Sequence, residues 1–161
     1  KPAFGKDGTV TAASSSSIAD GAAAQLLARA SAAAAAKLTP VARIVAHASH
    51  AHAPEWFTTA PGGAIATVLK RAGWKASDVD LYEINEAFAV VTMAAMKDAG
   101  ITHDRVNVHG GACALGHPIG ATGARILTTL VHALKRHGKK RGVAALCIGG
   151  GEATAVAIEL I

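Results

Sequence analysis

Cys147 closes the apolar run Ala144-Ala145-Leu146-Cys147 and is followed, one residue on, by Gly149-Gly150-Gly151. A thiol at a strand end with glycines beside it is sterically open, and the glycine N–H groups are free to point at a negative oxygen. That is what a functional thiol beside an oxyanion hole requires. The competing reading is an inert buried hydrophobe, the common fate of an isolated cysteine. A second stretch, Asn85-Glu86-Ala87-Phe88, joins an alternating run to an amphipathic one. Asn85 there suits a helix N-cap. It equally suits orienting a water or a substrate oxygen, because open α/β sheets collect ligands at the carboxyl ends of their strands. The third stretch runs from Asn107 to Gly123 and packs five glycines into the fourteen residues from Gly110. Ordering so many glycines is entropically costly, and close approach of backbone to a ligand is the usual reason for it. Within it His117, fixed by Pro118, is a candidate general base and hydrogen-bond donor. A phosphate-cradling loop is disfavoured, because no Gly-Lys-Ser/Thr ending is present.

The elements that must position these residues are read next. Thr9–Ala12 is short and extended, Ser14–Ser17 is a hydroxyl-rich loop leading to Asp20-Gly21, and Ala22–Arg29 fits strand or helix. Ser31 suits the cap of an alanine-rich helix through Lys37, stopped ahead of Pro40. Val41–Ala46 reads as strand, followed by a loop carrying His47, His50, His52 and Pro54. A helix is expected from about Ala64 to Ala72, closing at Gly73. Val79–Ile84 reads as strand, Glu86–Ala99 as helix stopping at Gly100, and Val106–Val108 as a short strand. Gly110–Gly123 is expected as a long loop and Ala124–Arg136 as helix. Gly142–Ile148 and Ala153–Ile161 read as strands around the triple-glycine turn. The order β-α-β-α-β-α-β-β predicts an α/β fold: a mostly parallel five-stranded sheet with helices on both faces and a terminal antiparallel hairpin.

Composition narrows the class. A chain of 161 residues with 51% hydrophobic and 17% charged residues is long enough to bury a core without disulfide or metal, and lies far from the disordered regime. Two cysteines in separate apolar contexts, Cys113 and Cys147, point to a reducing, cytoplasmic setting. No apolar run approaches a membrane span, and the opening Lys1-Pro2-Ala3-Phe4-Gly5 has neither an initiating Met nor a secretory segment, so the chain reads as a piece of something longer. The net charge of +5 would suit an anionic partner. Its densest cluster, Lys135–Arg141, reads better as basic side chains at a helix C-terminus than as a nucleic-acid patch. His47, His50 and His52 invite a metal reading, but no nearby cysteine or carboxylate completes a ligand set, so no metal is expected.

Asn-Glu-Ala-Phe, Gly-His-Pro-Ile-Gly-Ala-Thr-Gly and Cys-Ile-Gly-Gly-Gly stand in the order and at the spacing of the thiolase family, and the opening from Pro2 to Ala22 also looks like the matching thiolase segment. The chain resembles that family, acetyl-CoA acetyltransferases and β-ketothiolases, over essentially its whole length. The resemblance implies residues 1–161 as the C-terminal thiolase domain, with the nucleophilic cysteine in an absent N-terminal domain. It implies reversible Claisen condensation and thiolysis of coenzyme A thioesters, without a further cofactor, and an enzyme that is a homodimer or homotetramer. Residue by residue, His117 would activate the nucleophile and form an oxyanion site with Asn85, which holds a water. Cys147 would be the second base, and Gly149 would donate a backbone N–H to the other oxyanion hole. Ala12, Ser16, Phe57, Ala87 and Phe88 would line the pantetheine channel. Ser14 and Cys113 depart from the usual asparagine and aliphatic residue without touching this chemistry. Two rivals are a non-catalytic acyl-CoA-binding or dimerisation module on the same scaffold, and a decarboxylating ketoacyl synthase. A mere binder has no use for a second base, and synthases use two histidines.

Overall fold

The computed structural model describes residues 1–161. Its centre is a four-stranded sheet of β1 (Ala42–Ala51), β2 (Leu81–Ile84), β3 (Arg141–Ile148) and β4 (Glu152–Leu160), in the order β1-β4-β3-β2. The helices are α1 (Ala30–Ala35), α2 (Ala60–Ala72), α3 (Ala89–Ala99), α4 (Ala112–Leu115) and α5 (Thr122–Arg136). Alternation along the strands splits the core in two. Tyr82, Ile84, Val143 and Ala145 face α2 and α3, whereas Leu81 and Ala144 face Ile126, Leu130 and Leu134 of α5. Helices therefore cover both faces, as expected.

The sheet corrects the expected one in count and in pairing. Only β2 and β3 pair in parallel, while β4 runs antiparallel between β1 and β3. Strands β1, β2 and β3 still point the same way, so their carboxyl ends share one edge. The hairpin return strand has simply been inserted at the centre. The fifth strand expected at Val106–Val108 is reduced to a single parallel bridge between Tyr82 and Val106. Asn107 ends it: its φ of 49° breaks the extension, and its side chain takes over the edge of β2.

Other boundaries move for local reasons. β1 runs on through His47 and His50, which lie on a strand and not in a loop, because β4 offers partners down to Ala51. Its end is pinned where the His52 N–H donates to Gly151 O at 3.0 Å. A Cβ on Gly151, whose φ is 85°, would strike the His52 carbonyl. α2 starts four residues before the expected Ala64, and α3 three residues after Glu86. Ser31 lies inside α1, with Arg29 at the N-cap. Ala22–Arg29 is neither strand nor helix; it lies along α5, with Gln25 donating to Ala124 O and Thr128 Oγ1. The expected loop at Gly110–Gly123 contains α4. The basic cluster after α5 is a helix end, with Lys135 and Arg136 in the last turn. Arg141 pairs with Glu159 at 3.2 Å and stacks over Trp74. No helix is long and apolar enough to cross a membrane.

On the α5 face, Glu83 is 2% exposed, and its carboxylate lies 3.7 Å from Arg125 Nη1. Burial pushes its carboxyl up from the ordinary 4.5 to about 7, against the opposing pull of Arg125. Because the folded value exceeds the unfolded one, this contribution to stability is complete below 4.5 and is lost as pH rises through about 7. Over that window it amounts to roughly 3 kcal/mol. Glu83→Gln keeps the shape and removes the titration. Thermal unfolding is expected to show the variant losing less Tm than the wild type between pH 4.5 and about 7; parallel losses would contradict this assignment.

Candidate active site

The site lies at the carboxyl edge of the sheet. Asn85 is the first residue past β2, and its N–H donates to Ala145 O at 2.9 Å, continuing the pairing of β2 with β3. It does not cap α3, whose N-cap is Phe88. Asn85 is 1% exposed, yet neither its Oδ1 nor its Nδ2 meets a partner within the chain. A buried amide left unpaired costs about 1–3 kcal/mol, so such a group is normally reserved for a water or ligand. Cys147 lies two residues beyond Ala145 on the adjacent strand, on the face covered by α2 and α3, and pairs with Ala153. It is half-buried, and burial pushes its thiol above the ordinary 9.0. The resting group is therefore a thiol. Beyond it Gly149 is exposed, and no backbone carbonyl accepts its N–H.

His117 enters from the loop before α5. Its N–H donates to Ser17 O at 2.8 Å, and Ile18 bridges to it in parallel. Ser16, on the same strip, donates its backbone N–H and its hydroxyl to Ala87 O, and Ser15 bridges to Phe88. The strip Ser15–Ile18 thus stitches the segment after Asn85 to His117. The ring is set from below by Thr122, which is fully buried. Thr122 Oγ1 lies 2.6 Å from His117 Nδ1 and donates to Pro118 O at 3.0 Å. Since a carbonyl can only accept, the arrangement that satisfies both bonds puts the proton on Nδ1 and leaves Nε2 with its lone pair. Burial, reinforced by the Arg125 charge, holds the imidazole below its ordinary 6.5, in the neutral form a base needs.

Thr122 was not among the residues singled out from the sequence; inside an alanine-threonine-glycine run it looks like an ordinary helix-start residue. In the full-length protein, Thr122→Val is expected to lower kcat/KM about tenfold, the scale of one buried hydrogen bond, with Thr122→Ser close to wild type. Steady-state kinetics on the pair checks it; equal losses would mean that packing and not the hydroxyl matters.

The residues expected to line a channel divide. Ser16, Ala87, Phe88 and Phe57 come together: Ser16 bonds to Ala87, and the Phe57 and Phe88 rings meet edge to face with centroids 6.3 Å apart. Phe4, part of the family-like opening but not among the expected channel residues, adds a second edge-to-face contact to Phe88 at 5.5 Å. Ala12 is exposed in the turn leading into this strip. Cys113 donates its backbone N–H to the Glu86 carboxylate, and its thiol is raised by burial and by that charge, which suits it poorly as a nucleophile. The His50 and His52 rings stack edge to face, and His52 Nε2 sits 2.7 Å from Trp56 O.

The fold and site together define an α/β chain with Asn85 and Cys147 at the carboxyl ends of adjacent strands and His117 held in the loop before α5. Family comparisons agree. The model described as the thiolase C-terminal domain matches residues 38–160, and that of the thiolase N-terminal domain matches residues 1–31. The chain is 52% identical over 159 residues to a probable acetyl-CoA acetyltransferase of Dictyostelium discoideum, covering 99% of this chain and 38% of that protein. It is also 52% identical to an acetyl-CoA acetyltransferase of Escherichia coli strain K12, covering 99% and 40%. Among solved structures, the Bacillus anthracis acetyl-CoA acetyltransferase superposes with a TM-score of 0.96 at 44% identity, covering 100% of this chain and 41% of that one. Human mitochondrial 3-ketoacyl-CoA thiolase in complex with CoA gives 0.92 at 41% identity, covering 99% and 40%. The chain belongs to the thiolase family. It spans about two fifths of the length of the curated relatives it matches.

Proposed function

We propose that this chain supplies the acid–base half of a thiolase active site, in a protein that reversibly condenses and cleaves coenzyme A thioesters. One observation carries the reading: the buried Asn85 carboxamide, with both polar atoms unmet by protein, at the carboxyl end of the strand beside that of Cys147. His117, with Nε2 free, takes the proton from a nucleophilic cysteine contributed by the rest of the enzyme; that sulfur forms the new thioester as the acyl–sulfur bond to CoA breaks, CoA leaves as a thiolate protonated from solvent, and His117 keeps the proton on Nε2 as a donor for the next half-reaction. In the second half-reaction Cys147 removes an α-proton from acetyl-CoA. His117 and the Asn85-held water then stabilise the enolate oxygen as charge develops there. Gly149 N–H faces the acyl-enzyme oxygen. The α-proton of a thioester is only weakly acidic, so base and oxyanion donors must act on it together. Ser16, Ala87, Phe88 and Phe57 border the pantetheine arm, with Ala12 at its approach. The chain pairs with the part of the family's N-terminal domain that lies outside residues 1–31, in an enzyme that assembles as a homodimer or homotetramer.

The test uses acetyl-CoA and a rapid assay for free thiol. Full-length protein is expected to release about one equivalent of CoA in a burst before turnover, whereas the isolated 161-residue chain releases none. A burst from the isolated chain would overturn the division of roles. Full-length protein that binds acetyl-CoA without releasing CoA would instead be a binding module.

A further inference from the structure

We propose that Asn107 and Glu86 are positioning residues for the oxyanion site, acting through Asn85; the inference rests on the function proposed above. Asn107 stands where a fifth strand would otherwise pair with β2. Its carboxamide does the work of a peptide group: Oδ1 accepts the Ile84 N–H at 2.8 Å, and Nδ2 donates to Ile84 O at 2.8 Å. Nδ2 also donates to Glu86 Oε1 at 3.1 Å. The other Glu86 oxygen accepts the Cys113 N–H at 3.0 Å, at the start of α4. Both chain neighbours of Asn85 are thereby held from one side, while Asn85 N–H is held from the other by Ala145 O. The backbone of Asn85 is fixed and its side chain is left free of internal partners.

Two backbone features show that the arrangement is built for this purpose. Asn107 sits at a φ of 49°, which a non-glycine residue adopts readily only when, like asparagine, it gains local hydrogen bonds. A Cβ on Gly111 would collide with the Glu86 carboxylate, so the loop before α4 is shaped to receive it. An oxyanion donor misplaced by even about 1 Å can lose a factor on the order of a hundred in rate. Anchoring that fixes Asn85 without touching its carboxamide meets that demand.

The discriminating variant is Asn107→Gly in the full-length protein. Glycine accepts the same φ without strain, so folding is kept while the carboxamide is lost. Glu86→Gln is its companion: an amide can accept one of the two N–H donors but presents its own NH2 to the other. Both variants are expected to form the acyl-enzyme within about twofold of wild type, while exchange of the acetyl-CoA α-protons into deuterium oxide slows on the order of tenfold or more, in kcat and not in KM. Amide exchange at Ile84 should quicken by a similar factor on the order of tenfold in Asn107→Gly. Unchanged α-proton exchange in both variants, or equal loss of both half-reactions, would overturn the inference. A wild type silent in both half-reactions would overturn the proposed function and the catalytic part of this inference together, and Ile84 protection would then report on the anchor alone.

Discussion

Cys147→Ser in the full-length protein is expected to leave the first burst of CoA within about twofold of wild type and to slow condensation by about a hundredfold to ten-thousandfold, the usual worth of a positioned acid–base group. The two halves of the reaction ask different things of this position. In the proposed mechanism acyl transfer from CoA needs the distal nucleophile and His117, and Cys147 has no part in it. Carbon–carbon bond formation needs a base strong enough to take an α-proton from a thioester, and a serine hydroxyl at neutral pH supplies almost no alkoxide. Burial raises the Cys147 thiol above its ordinary 9.0, so the resting state carries the proton, ready to be donated when a carbanion departs in thiolysis. The sign for condensation is opposite: its rate should climb with pH as thiolate accumulates. Equal loss of the burst and of condensation in Cys147→Ser would contradict this division.

His117→Ala is expected to behave differently, because in the proposed mechanism the imidazole serves both halves. The CoA burst should itself fall by about a hundredfold to ten-thousandfold, and α-proton exchange should fall with it. Thr122 gives the ring a fixed orientation with Nε2 free, and burial together with Arg125 keeps it neutral below the ordinary value of 6.5. The acid limb of the wild-type burst rate should therefore lie below pH 6.5. The folded-state value is depressed, so this group's contribution to stability is present above 6.5 and is lost as pH falls through the site's lower value. A burst that survives the alanine substitution would remove His117 from the first half-reaction.

The helix ends were legible because their cause is local. Gly73 and Gly100 were the expected stops, and each takes a positive φ at a helix end. The final hairpin was legible for the same reason, since its three-glycine turn and flanking apolar runs lie within one short stretch. Asn85 was legible as a special residue but not in its role as a strand extension, because a cap and a strand end look alike in one dimension. Glu86 and Asn107 were hidden inside recognisable stretches. Their partners lie more than twenty residues away along the chain.

By itself the sequence determined which residues were available for chemistry and where the backbone had to turn, because glycine, proline, asparagine and lone thiols impose their constraints within a few neighbours. It also carried the family, through three motifs in order. Only the tertiary structure decided that β4 inserts between β1 and β3, that Asn107 stands in for a fifth strand, and that Thr122 sets the proton on His117. Strand order, edge closure and ring tautomer depend on hydrogen bonds between segments distant in sequence, and no local propensity encodes which of several possible partners a freed N–H or carbonyl will find.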